Sequence, residues 1–232
     1  MKNFKTIAVI ALGALTASSA FALTDGPYAA NYGTSGSQQA VDFSTSLVFP
    51  AFNNLTGPLA GAILDDVSVT LHGGSAATQS VQNTGASAAV FQLTTTISIT
   101  LLDPLGNSIV TAIPSVVNTT VPPLGAGQTK NFGTTAGTDT KTVTYTSNLG
   151  TFAGAGNLSL ALFSLTSTGA AGGGGNNIPN FATTGFADGT ITYDYHFNSQ
   201  VPEPKVYGAI GAVACLGMLG YRRFRNRQAA QA

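Results

Sequence analysis

The sequence predicts an all-β protein: an antiparallel two-sheet β-sandwich of about eight strands, flanked by an N-terminal signal helix and a C-terminal transmembrane helix. Three observations carry this. Charged residues make up 8% of the chain, against about 25% in an average soluble domain, and amphipathic helices need charged outer faces. Gly, Ser, Thr, Ala and Asn fill the gap, with 28 glycines in 232 residues, a mixture suited to short strands and turns. Apolar side chains recur at every second position in several segments, the period of a strand with one buried face.

In chain order, Met1 to Lys5 is short and basic, and Thr6 to Leu15 is apolar but too short to span a bilayer. Ala20-Phe21-Ala22 then supplies the small-x-small pattern that signal peptidase requires, so residues 1–22 are expected to be a signal peptide cut after Ala22. Residues 23–39 are expected to form a flexible segment, and 40–198 the sandwich.

Within the sandwich, Val41, Phe43, Leu47 and Phe49 mark one strand, and Val67, Val69 and Leu71 another. The clearest runs from Ala89 to Leu101. There Ala89, Phe91, Leu93, Ile97, Ile99 and Leu101 share one phase, broken only by Thr95. Asp103-Pro104-Leu105-Gly106-Asn107 reads as a turn into a return strand, Ser108 to Val117. Pro114 inside that run points to an edge strand or a bulge, because proline donates nothing to a ladder. Thr142 to Thr146 is a β-branched run around Tyr145. Leu158, Leu160 and Leu162 share a phase, with Phe163 and Leu165 adding apolar surface on the other side. Gly169 to Asn177 is expected as a flexible loop. Ile191, Tyr193, Tyr195 and Phe197 close the body as a last aromatic strand, with Tyr193 and Tyr195 expected to face inward.

The tail occupies residues 199–228. Val201-Pro202-Glu203-Pro204 precedes an apolar run, Val206 to Tyr221, and then Arg222, Arg223, Arg225 and Arg227. Two nearby prolines force an extended segment that a processing enzyme can grip as a strand. Sixteen residues of helix span about 24 Å at 1.5 Å each, a shortfall that snorkelling arginines close. The arginines hold that end in the cytoplasm and leave the body outside.

This order of motif, helix and basic end resembles the PEP-CTERM sorting signal of Gram-negative bacteria. The resemblance rests on Pro202, Glu203 and Pro204, the 206–221 helix and the arginine cluster. It implies an exported, inner-membrane-tethered precursor processed by an exosortase, then placed at the cell surface or in the extracellular matrix, with a link to exopolysaccharide and biofilm. The body, over roughly Ala40 to Phe197, is similar to the choice-of-anchor E domain in its Val67 to Leu101 strands, in Lys141 to Leu149 and in Thr190 to Phe197. That likeness implies architecture and no chemistry.

Charge is segregated. Seven of the nine basic residues lie in the two ends, so the body keeps Lys130 and Lys141 against eight aspartates, a net charge of about −6. Such a body repels nucleic acid. The lone cysteine, Cys215, is in the tail, so no disulfide staples the body.

No catalytic residue and no cofactor is expected. Asp194 and His196 share the outer face of the last strand, yet no Gly-x-Ser-x-Gly elbow accompanies them. His72 and His196 are too few for structural zinc, which takes four ligands. Asp65 and Asp66, the only acid pair, are candidate calcium ligands or turn caps. They lack an Asp-x-Asp-x-Asp-Gly loop and a bidentate Glu. Gly172 to Gly175 lacks the Lys-Ser/Thr of a phosphate cradle. Asn54, Asn118 and Asn157 match glycosylation acceptors by chance in a Thr-rich chain. The expected function is that of a non-catalytic surface or matrix protein. A carbohydrate-binding or adhesive module is the alternative, and a secreted hydrolase stands third.

Overall fold

The computed structural model describes residues 22–198, and Ala22–His196 form one compact unit. The predicted signal segment up to Phe21, the Pro202-Glu203-Pro204 motif, the 206–221 run and the arginines lie outside the described residues, as do both predicted flanking helices. The described unit is all-β, with two antiparallel sheets packed face to face.

Ten strands build it: β1 (Leu23–Tyr32), β2 (Gln39–Ala40), β3 (Ser44–Pro50), β4 (Ala62–Asn83), β5 (Phe91–Leu102), β6 (Ser108–Ala112), β7 (Ser115–Thr119), β8 (Thr129–Tyr145), β9 (Asn157–Gly172) and β10 (Asn177–Phe197). The first sheet has the order β1-β10-β4-β8, with β2 also pairing β10. The second has the order β3-β9-β5-β6, with β7 also pairing β5.

The Ala89 to Leu101 alternation becomes β5, whose Phe91, Leu93, Ile97, Ile99 and Leu101 are fully buried. Its pairing with β6 places Leu101 opposite Val110 and Leu102 opposite Ser108. The turn between them is held by Asp103. Its Oδ1 accepts the backbone N–H of Leu105 and of Asn107, each at 2.8 Å, and its Oδ2 accepts Asn107 Nδ2 at 3.0 Å. The return strand is split into β6 and β7 at Ile113–Pro114, and both halves lie along the edge of their sheet. An edge is where a residue without an N–H costs no ladder bond.

Several strands are longer than their apolar patterns indicate. β4 runs for 22 residues and β8 for 17, paired from Val67 opposite Tyr145 to Gln82 opposite Thr129. Much of β8 is Thr and Gly with no buried phase. Cross-strand hydroxyl pairs on the outer face support it: Ser68 with Thr144, Thr70 with Thr142 and Thr78 with Thr134, all at 2.8–2.9 Å. Two expected loops are strand as well. Leu23–Tyr32, read as flexible, is β1, paired to β10 with a bulge where Gly26-Pro27 interrupts the ladder. Gly169–Gly172, read as loop, continues β9 opposite Thr94 to Phe91.

The core lies between the sheets. Its main cluster includes Leu47, Phe49, Phe52, Val67, Leu71, Ile97, Leu160, Ile191 and Tyr193, each stabilising the fold by about 1.5–3 kcal/mol through burial. Tyr193 and Tyr195 point inward, with Phe52 5.6 Å from each ring. A second, smaller cluster of Val81, Phe91, Leu93 and Leu124 fills the other end. Between the two clusters sits a polar layer. Gln79 Nε2 donates to Thr95 Oγ1 at 2.9 Å, and Asn118 Nδ2 donates to Gln79 Oε1 at 2.9 Å and to Thr135 Oγ1 at 3.2 Å. Thr95, the one break in the apolar phase of β5, is fully buried and has a partner there. Asn118 is thereby committed inside the network rather than offered as a glycosylation acceptor.

Candidate functional site

The acid and histidine candidates lie near one end of the first sheet, where β1, β4 and β10 meet. Asp194 and His196, which share the outer face of β10, take different partners. His196 Nδ1 lies 2.8 Å from both carboxylate oxygens of Asp65. Asp194 accepts the hydroxyl of Thr24 at 2.6 Å, because β1 places Thr24 directly opposite it. Asp66 interacts with Asp194. Burial first, and then that neighbouring carboxylate, push the Asp66 carboxyl above the usual range.

Asp65 and Asp66 therefore serve different partners. His72 is placed elsewhere on β4, with Nδ1 2.7 Å from Thr140 Oγ1 and its ring 5.4 Å from that of Phe186. Among the described residues no group of three or more His, Cys, Asp or Glu side chains is arranged to hold a metal ion.

A different feature was not legible as a site. Two adjoining hollows open where the β5–β6 turn meets the loop after β8. The first, of about 220 Å³, is lined by Asp103, Asn107, Ser108, Ile109, Tyr145, Asn148, Thr151 and Phe152. The second, of about 480 Å³, shares Asp103, Asn107, Asn148 and Thr151 with it and adds Leu105 and Gly150.

Local chain chemistry fixes each wall. The Asx-type bonds of Asp103 hold the turn rigid and leave Leu105 at its apex, 79% exposed. Hydrogen bonds from Asn107, side chain and then backbone, keep the Asp103 carboxyl below the usual range, so it stays ionised. Tyr145 ends β8 half-buried. Its hydroxyl donates to the Ile109 carbonyl at 3.2 Å, and its ring lies 5.3 Å from that of Phe152. Burial, followed by the nearby Asp103 charge, raises the Tyr145 phenol above its ordinary value. Asn148 sits in the left-handed region (φ 55°, ψ 30°), immediately before a 3₁₀ turn at Leu149–Thr151. Asparagine tolerates that conformation better than most side chains do. The result is a shallow cleft with one carboxylate, two amides, two hydroxyls and an aromatic floor.

No family model matches the chain, and no curated protein matches it. Among solved structures, the infectious bursal disease virus Gx strain is similar to it at 15% identity over 79% of this chain and 38% of that one, with a TM-score of 0.27. A VP2 subviral particle of infectious bursal disease virus is similar at 13% identity over 76% and 37%, with a TM-score of 0.20. A CocE/NonD family hydrolase from Staphylococcus aureus is similar at 8% identity over 78% and 35%, with a TM-score of 0.14. The chain spans well under half the length of each of these neighbours.

Proposed function

We propose that this chain is a non-catalytic exported protein of the cell surface or extracellular matrix. Signal peptidase acts at its front, an exosortase processes its tail, and it associates with exopolysaccharide in biofilm. The observation that carries this reading is the tail's order: Pro202-Glu203-Pro204, then the apolar 206–221 run, then Arg222, Arg223, Arg225 and Arg227. The tail tethers the precursor to the inner membrane until processing.

Two features support it. The compact unit begins at Ala22, where signal cleavage is expected, and ends at His196, shortly before the motif. A body that folds between two address segments keeps its core when they are removed. The best acid–base candidate, His196, is held by Asp65 on the sheet's outer side, in an arrangement that serves to tie β4 to β10. The test replaces Pro202, Glu203 and Pro204 with Ala and follows the exported protein by intact-mass spectrometry. An uncut tail in the variant and a cut tail in the parent are expected. Normal processing of the variant would refute the assignment. The cleft favours a second reading, a carbohydrate-binding module.

A further inference from the structure

We propose that the cleft between the β5–β6 turn and the loop after β8 binds uncharged saccharide, with Asp103, Asn107, Asn148 and Thr151 reading hydroxyls and Leu105 and Tyr145 contacting the sugar's C–H face. This rests on the carbohydrate-binding reading alone and does not depend on tail processing.

A sugar ring presents vicinal hydroxyls that donate and accept, and weakly apolar faces. A matching site needs planar groups carrying both donors and acceptors, next to apolar surface. Asn107 and Asn148 contribute amides, Thr151 and Ser108 contribute hydroxyls, and Asp103 contributes a carboxylate, all lining one opening. Three hydrogen bonds from its own turn hold the Asp103 carboxylate in place. A carboxylate offers about four lone-pair sites, so acceptor capacity remains for a ligand hydroxyl without disturbing the turn. The groups are also preorganised: Asp103 and Asn107 brace each other, and Tyr145 is pinned through Ile109. Less conformational entropy is then lost on binding.

Charge sets the specificity. An ionised Asp103 in a body of net charge about −6 disfavours uronates and other acidic sugars by like-charge repulsion. The shallow, open second hollow suits a segment of a polymer passing over the cleft rather than a fully enclosed monosaccharide.

The experiment titrates the full-length chain in mild detergent with soluble oligomers of glucose, mannose and N-acetylglucosamine, and with polygalacturonate. Nuclear magnetic resonance follows the side-chain amides of Asn107 and Asn148. At least one neutral oligomer should shift both amides, and polygalacturonate should not. The double variant Asn148→Gly, Thr151→Val keeps the left-handed turn at 148 and the side-chain volume at 151 while removing an amide and a hydroxyl. It should bind about tenfold more weakly, the equivalent of one or two lost hydrogen bonds. Thr78→Val, on the outer face of β4, should bind as the parent does. Failure of every neutral oligomer to shift these amides, equal binding of polygalacturonate, or unchanged affinity in the double variant would each overturn the proposal. The amide shifts in the parent decide the matter even if the variant fails to fold. The Pro202-Glu203-Pro204 variant should bind like the parent, which separates this result from the sorting assignment.

Discussion

The backbone N–H of Ile113 donates to Oδ2 of Asp139 at 2.8 Å, joining the β6–β7 break of one sheet to β8 of the other. Pro114 ends the ladder at this point, and a carboxylate from the facing sheet takes up the exposed donor. Beside it, Gly137 lies so close to β7 that a Cβ there would sit 2.1 Å from the Ser115 carbonyl oxygen. The sandwich is thus stitched along one seam by a charged acceptor and a missing side chain.

Asp139 is therefore expected to contribute stability that depends on pH. The Ile113 N–H, and then Lys141, hold its carboxyl below the usual range. A depressed folded value means the contribution is present above the unfolded-chain value of about 3.9 and fades as pH falls below it. Asp139→Ala should destabilise the protein by about 1 kcal/mol at pH 7. The gap to the parent should narrow as pH falls below 4 in urea melts, and a pH-independent gap would contradict this account.

Gly74 and Phe186 form a second close fit. A Cβ on Gly74 would lie 2.0 Å from the ring of Phe186, which is 2% exposed although it belongs to the outer face of its sheet. Gly74→Ala should cost about 1–3 kcal/mol from overpacking. In the Phe186→Leu background the added methyl group should cost less, a non-additivity that a double-mutant cycle measures. Equal cost in both backgrounds would rule out the ring as the obstacle.

The buried polar layer predicts an asymmetry. Thr95→Val leaves Gln79 Nε2 without its acceptor and should cost about 1–3 kcal/mol. Adding Gln79→Leu to that variant should cost less than Gln79→Leu alone, because the donor left without a partner is then gone. Thermal melts of the four proteins check this.

Asp66 should behave in the opposite sense to Asp139. A raised folded value means its charged form is disfavoured by folding, so this group destabilises the protein once pH rises above the unfolded-chain value of about 3.9. Asp66→Asn should raise the melting temperature at pH 7, and the gain should vanish near pH 3. EDTA should leave both proteins unchanged. A gain that persisted in acid would refute the titration argument.

Much of the sandwich was legible because burial writes itself into sequence as a period of two. β5, the aromatic end of β10 and the Asp103 turn follow from their residues alone. β1 and most of β8 were not legible for a common reason. Each is an edge strand in which ladder bonds and hydroxyl pairs, rather than an apolar phase, hold the chain extended. Thr134 to Thr140 carry no alternation to read, and Gly26-Pro27 reads as loop although an edge absorbs it as a bulge. The role of Thr95 could not be read locally, because its partner Gln79 lies on a different strand in the facing sheet. The cleft escaped for the same reason: Asp103 and Asn107 meet Tyr145, Asn148 and Thr151 only once two sheets are closed. In the acid group, strand order chose the partners, giving His196 to Asp65 and Asp194 to Thr24.

β10 lies between β1 and β4, and its last residues lead directly toward the tail. Any tension transmitted through that tail enters a strand clamped on both flanks. Hydrogen bonds running across the pull share the load in shear, instead of opening one after another from a free margin. A pull applied at Phe197 would therefore have to break the hydrogen bonds to β1 and to β4 together.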